Sequence, residues 1–228
     1  MRALLLAAGL GTRLRPITDT IPKCLVVIKG KHLLGIWLDL LTQAGIESCL
    51  INTHHFAGQV EEFIGASPHR ENVKLVYEAT LLGTAGTLIK NLNFFNGEDG
   101  MLIHADNYCL ADLSLFINAH ASRPSDCVMT MMTFRTDNPS SCGIVEVDER
   151  GVVIGFYEKV DKPPGNLANC AVYIISSTFL EIMGGELHTA GDFSTEVLHK
   201  FLGRIFTYET AETFMDIGTK ETYDRANY

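Results

Sequence analysis

Short apolar runs and amphipathic stretches take turns along the first half of the chain. Ala3–Ala8 is continuously apolar rather than alternating, as in a strand buried on both faces of a parallel sheet. Leu25–Ile28 is a second, shorter apolar segment. Leu33–Ala44 carries apolar residues at helical spacing and stops at Gly45, which suits a helix C-cap. The same reasoning predicts strands at Ser48–Asn52, Val73–Tyr77, Met101–His104 and Cys127–Phe134. It predicts helices at Ala57–Ile64, Thr84–Leu92 and Leu113–Ala121. This alternation points to an α/β fold with a doubly wound, Rossmann-like, mainly parallel mixed sheet.

The second half is richer in strand patterns. Gly143–Val147 and Val152–Tyr157 flank Asp148-Glu149-Arg150-Gly151, a hairpin signal. Asn169–Ile175 and Ile205–Thr210 read as strands, Thr178–Met183 and Ser194–Leu202 as helices. No repeat, low-complexity tract or linker interrupts the 228 residues, so one domain over 1–228 is expected.

Composition narrows the function. The chain is 46% hydrophobic and 20% charged, as a soluble globular protein should be. The net charge is −9 with no basic block, which argues against a nucleic-acid partner. The first strand starts so early that no signal peptide is expected, and no apolar stretch is long enough for a membrane span. A cytoplasmic protein with no membrane partner is therefore expected. The six cysteines form no C-x-x-C pair and read as buried small hydrophobes in a reducing compartment. His54 and His55 are adjacent, so in extended backbone they point apart and cannot chelate together. Gly-x-Ser-x-Gly is absent, so no hydrolase elbow is suggested.

The chemistry is concentrated after the first strand. Gly9 and Gly11 leave backbone N–H groups uncovered, and Arg13 and Lys23 follow. That combination favours a polyphosphate. A dinucleotide fingerprint needs a third glycine where Leu14 stands, and an acid ending a second strand where Asn52 stands. The Walker A Gly-Lys-Ser/Thr is also absent. Asp106 follows an apolar strand, where ligands bind in open sheets. A carboxylate there holds Mg²⁺ against phosphates or caps a helix. Gly83 and Gly86 open a helix and allow close approach of a flat ligand.

The complete string Gly-x-Gly-Thr-Arg-Leu-x-Pro-x-Thr over residues 9–18, followed by Pro22-Lys23, resembles the signature of the sugar-phosphate nucleotidyltransferases. Further matches follow in the family's order up to residue 219. The resemblance implies that a sugar 1-phosphate attacks a nucleoside triphosphate and pyrophosphate is released. It implies Arg13 on the leaving pyrophosphate and Lys23 on the α-phosphate as catalytic residues. Ala8, Gly9, Gly11, Thr12, Glu78, Gly83 and Thr84 would bind the nucleotide. Gly143, Glu158, Lys159 and Asn169 would bind the sugar phosphate. Asp106 and Asp216 would hold Mg²⁺, although His104-Ala105-Asp106-Asn107 departs from the commoner Gly-Asp version. Asp192-Phe193-Ser194-Thr195-Glu196 resembles a family segment near the sugar pocket and also reads as a capped helix start.

Leu82-Gly83-Thr84-Ala85-Gly86 after an acidic residue looks more like guanylyltransferases for mannose-type sugars than like thymidylyltransferases. GTP and mannose or D-glycero-D-manno-heptose 1-phosphate are thus the expected substrates, in GDP-sugar synthesis for surface polysaccharide. Many family members carry a C-terminal β-helix, and none is expected here. Uridylyl or thymidylyl transfer to another sugar 1-phosphate, or an inactive regulatory relative, are the alternatives. Oligomeric state is not readable from the sequence.

Overall fold

The N-terminal apolar run forms a strand, Arg2–Leu6, that pairs in parallel with Cys49–Thr53, which pairs in parallel with Val73–Tyr77. The computed structural model describes residues 1–228, which fall into two bodies. The first holds residues 2–81, 103–113 and 212–228; the second holds Met1, 82–102 and 114–211.

In the first body, parallel pairing requires crossovers, and the helices Leu33–Gln43 and Ala57–Ala66 supply them. Cys49–Thr53 is buried along its whole length, apolar over residues 49–51 and ending on the buried polar pair Asn52 and Thr53. A short ribbon pairs Asn107–Cys109 antiparallel with Phe214–Asp216 and sets Asn107 opposite Asp216. The helix Lys220–Asn227 opens with a capping box between Thr219 and Thr222. An apolar cluster of Leu14, Val26, Ile28, Leu33, Ile36, Tyr108, Ile217 and Ala226 binds these parts together. The segment after the first strand is thereby packed against the ribbon and the C-terminal helix.

In the second body, Leu167–Ile175 pairs antiparallel with Met129–Arg135 and with Gly143–Val147, and Val153–Glu158 pairs antiparallel with Gly143–Val147. Ile205–Glu209 joins Met129–Arg135 in parallel. Helices Gly83–Lys90 and Ser177–Gly184, and all but the first residue of helix Leu113–Ala121, belong to this body. The expected α/β, Rossmann-like mixed pairing is present, parallel where strands alternate with helices and antiparallel around the hairpin. Ser194–Leu202 departs from its predicted regular helix. A π-helical turn, Phe193–Val197, runs into a 3₁₀ turn, Leu198–Phe201. Side chains fix its entry: Thr195 N–H donates to Asp192 Oδ1 and Phe193 N–H to Thr84 Oγ1.

One buried histidine ties the second body's elements together. His120 Nε2 lies 3.2 Å from Asp99 Oδ2 and Nδ1 lies 2.8 Å from Thr130 Oγ1. Asp99 Oδ1 also accepts the Ser177 N–H that opens a helix. Burial, reinforced by Arg123, pushes the imidazole down to about 4 even though Asp99 favours the cation. A neutral ring protonated on Nε2 donates to Asp99 and accepts from Thr130, satisfying both contacts. The unfolded chain binds this proton near the usual 6.5, the folded protein only near 4. Stability is therefore expected to fall as pH drops through that window. His120→Gln should lose about 2–3 kcal/mol less than the wild type between neutral pH and the lower edge of the window. Urea unfolding at the two pH values checks this, and identical losses would contradict it.

Candidate active site

The turn after the first strand is shaped by Gly11. Its φ is +63°, and a Cβ there would stand 3.0 Å from Thr18 Cγ2 and 3.1 Å from Lys23 Cβ. Glycine meets both demands at once. Gly11 O accepts the Leu14 N–H at 2.9 Å and the Thr18 hydroxyl at 2.7 Å, which closes the turn Thr12–Leu14. Ala8 is buried, whereas Gly9, Thr12 and Arg13 face solvent. A side chain at Gly9 would meet nothing within 4 Å. The start of the loop is held from below: Ala7 N–H donates to Asn52 Oδ1 at 2.8 Å, and Asn52 Nδ2 donates to Glu78 Oε1 at 3.1 Å.

The charged centre forms where the ribbon brings Asp106 and Asp216 together. Trp37 Nε1–H donates to Asn107 O at 2.9 Å and fixes the chain just after Asp106. Lys23 Nζ is 2.7 Å from Asp106 Oδ2 and 3.6 Å from Asp216 Oδ1, with only 7% of its side chain exposed. Arg13 Nη2 stands 3.8 Å from Asp216 Oδ2. Gly11, Thr12, Arg13, Leu14, Lys23, Asp106 and Gly218 line a cleft of about 130 Å³. Burial raises the Asp106 pKa, but the Lys23 ammonium and then His104 overcome it and hold the carboxyl below its usual range. Cys24, next to Lys23, is pushed up to about 12 by burial and by Asp106. It is a protonated thiol at neutral pH and no nucleophile.

Two carboxylates that reach one ammonium converge on a place a small cation can take. Hard oxygen donors of this kind suit Mg²⁺, which is held by one or two carboxylates with substrate phosphates and water. The residues present therefore fit a divalent ion, with no third protein ligand of the His, Cys, Asp or Glu type grouped there.

The other predicted nucleotide residues have packing partners of their own. Glu78 is buried, its carboxylate engaged by Asn52 and its carbonyl 2.7 Å from His54 Nδ1. In the second body, Gly83 has φ +79°, and a Cβ there would come within 2.3 Å of Gly191 O. Gly191 O in turn accepts the N–H groups of Ala85 and Gly86. Thr84 Oγ1 accepts from Phe193 N–H and donates to Asp192 Oδ2.

The residues predicted for the sugar phosphate share the second body. Gly143 pairs with Glu158, and a Cβ at Gly143 would strike Glu158 Oε2 at 2.6 Å. Lys159 has φ +50°, donates its N–H to Cys142 O, and places Nζ 2.9 Å from Glu158 Oε1. Asn169 opens a bulge in its strand. Its Oδ1 accepts from Ala171 N–H and its Nδ2 donates to the Tyr173 hydroxyl at 2.7 Å. Asp192 and Glu196 form a cap, with Glu196 accepting from Gly191 and Asp192 N–H groups.

Sequence reasoning missed two positioning residues, Asn52 and Trp37, and gave no role to Thr18, the last residue of the motif string. Asn52 was legible only as a strand end lacking an acid. Trp37 read as one of the apolar residues of its helix.

Residues 2–228 match the nucleotidyl transferase family along their whole length. The chain belongs to that family. It is 28% identical over 228 residues to the mannose-1-phosphate guanylyltransferase of Mycobacterium tuberculosis, covering 99% of this chain and 63% of that protein. It is equally 28% identical, over 243 residues, to the UTP–glucose-1-phosphate uridylyltransferase of Synechocystis, covering 99% of this chain and 62% of that one. Other relatives of this chain are named as adenylyl and thymidylyl enzymes. The chain spans about three-fifths of the length of the first curated relatives it matches. The crystal structure of HddC from Yersinia pseudotuberculosis with GMP-PN superposes with a TM-score of 0.80 at 26% identity, covering 99% of this chain and 97% of that one. No helix of this family member is long and apolar enough to cross a membrane.

Proposed function

We propose that residues 1–228 act as one nucleotidyltransferase domain that joins a nucleoside triphosphate to a sugar 1-phosphate and releases pyrophosphate. The observation that carries this reading is the cleft in which an open glycine turn, Arg13, Lys23, Asp106 and Asp216 converge. A sugar phosphate oxygen attacks the α-phosphorus in line, the bond from that phosphorus to its bridging oxygen breaks, and pyrophosphate leaves with the electron pair. No covalent enzyme intermediate is needed, so the residues act by positioning and charge neutralisation.

Gly9, Gly11 and Thr12 present backbone N–H groups to the phosphates, Ala8 borders the base and ribose, and Arg13 receives the pyrophosphate. Lys23 takes charge from the α-phosphate. Asp106 and Asp216 would hold Mg²⁺, which would supply positive charge to neutralise the phosphate oxygens. Gly143, Glu158 and Asn169 receive the sugar hydroxyls, and Lys159 exchanges its Glu158 contact for the sugar phosphate. A cytoplasmic enzyme of surface-polysaccharide synthesis fits this chemistry.

The base is read as guanine. The loop over residues 82–86, which resembles that of guanylyltransferases, and the likeness to HddC, solved with GMP-PN, support that reading; Glu78 is buried against Asn52 and takes no part in it. A site that hydrogen-bonds a base rejects one that leaves its polar groups unpaired. GTP is therefore expected to exceed UTP, dTTP, ATP and CTP in kcat/KM with mannose or manno-heptose 1-phosphate. A side-by-side measurement of the five triphosphates tests this. A preference for UTP or dTTP would replace guanylyl by uridylyl or thymidylyl transfer.

A further inference from the structure

Lys23 is placed where a metal-bound centre needs open carboxylates. Its ammonium is 2.7 Å from one carboxylate and 3.6 Å from the other, and its side chain is almost wholly buried. Its backbone is fixed in the turn Lys23–Leu25, where Lys23 O accepts the Val26 N–H. A buried ammonium must be paired, and here both partners are the residues read as metal ligands. Arg13 adds a second cation against Asp216. The cluster thus balances two carboxylates with two cations. A dication added alone would crowd a third positive group into this balanced site. A dication arriving with a triphosphate brings its own negative charge, and gives Lys23 and Arg13 phosphate oxygens to move to.

We infer that Lys23 holds the place of the metal between Asp106 and Asp216 in the nucleotide-free protein, so that a divalent ion enters together with the nucleotide. This rests on reading Asp106 and Asp216 as the metal ligands. Lys23 is then both the charge that meets the α-phosphate and the group that keeps the carboxylates together beforehand.

Mn²⁺ binding to nucleotide-free protein, read from the electron paramagnetic resonance signal of unbound Mn²⁺, tests the inference without turnover. Wild type should bind Mn²⁺ weakly. Lys23→Met and Lys23→Gln should bind it about tenfold or more tightly, as expected when a competing charge-assisted contact is removed. Arg15→Met removes an exposed cation paired with Asp19 instead and should match wild type. The gain should disappear in the Lys23→Met, Asp106→Asn double variant. Tight Mn²⁺ binding by nucleotide-free wild type, or no gain in either Lys23 variant, would overturn the inference. The metal reading is judged separately, by Mn²⁺ binding in the presence of GTP. If Asp106→Asn weakens that binding, the ligand assignment stands whatever Lys23 does; if it does not, the ligand assignment itself falls.

Discussion

Asp106→Asn is expected to lower kcat by about two to three orders of magnitude, the scale of losing one preorganised charge contact at a reacting phosphate. The substitution keeps the shape of the side chain and leaves an amide oxygen for Lys23 Nζ, now 2.7 Å from Asp106 Oδ2. Trp37 still fixes the following residue through Asn107 O. The fold should therefore survive while the charge that holds a divalent ion is lost. Thermal unfolding alongside a Mg²⁺ titration of turnover checks both halves. Near-normal rates at ordinary Mg²⁺ with an intact fold would remove Asp106 from the ligand set.

Lys23→Ala is expected to cut kcat by about two orders of magnitude and to change the nucleotide KM far less. A charge that matters most as the α-phosphorus becomes five-coordinate appears in kcat rather than in ground-state binding. The buried position of Lys23 adds a requirement. Without it, Asp106 and Asp216 face each other with only Arg13 nearby, so some stability is lost as well. The comparison of kcat with KM must be made on protein shown to be folded. A raised KM with unchanged kcat would make Lys23 a simple binding residue.

Much of the architecture was written locally. The strands Arg2–Leu6 and Cys49–Thr53 were legible because each carries a short buried apolar stretch, residues 3–5 and 49–51. The ribbon joining Asn107–Cys109 to Phe214–Asp216 left no trace. Each arm is three residues, too short for a period, and the arms lie far apart in the chain. The helix Lys220–Asn227 was equally hidden, since Ala226 is its one fully buried residue and its capping box uses Thr222 where Glu or Gln is usual. Ser194–Leu202 has helical spacing, but the Asp192 and Thr84 contacts open its first turn.

The site divides in the same way. Arg13 and Lys23 were legible from the motif string, Asp106 and Asp216 from the wider resemblance, and the structure brings these four together. Their mutual pairing was not legible, because it depends on the ribbon. The packing roles of Gly83, Thr84 and Gly143 were also hidden, since each is set by a residue distant in sequence. Asn52 looked like the lack of a ribose-binding acid, and in space it anchors the Ala7 N–H at the mouth of the phosphate loop.

The most direct test is pyrophosphate release by the 228-residue chain with Mg²⁺, a nucleoside triphosphate and a sugar 1-phosphate. Pyrophosphate and nucleoside-diphosphate sugar should form in equal amounts with GTP and a mannose-type 1-phosphate, and neither should form when the sugar phosphate is left out. Failure of every triphosphate and sugar 1-phosphate pair to release pyrophosphate, or release that does not depend on the sugar phosphate, would contradict nucleotidyl transfer at this site.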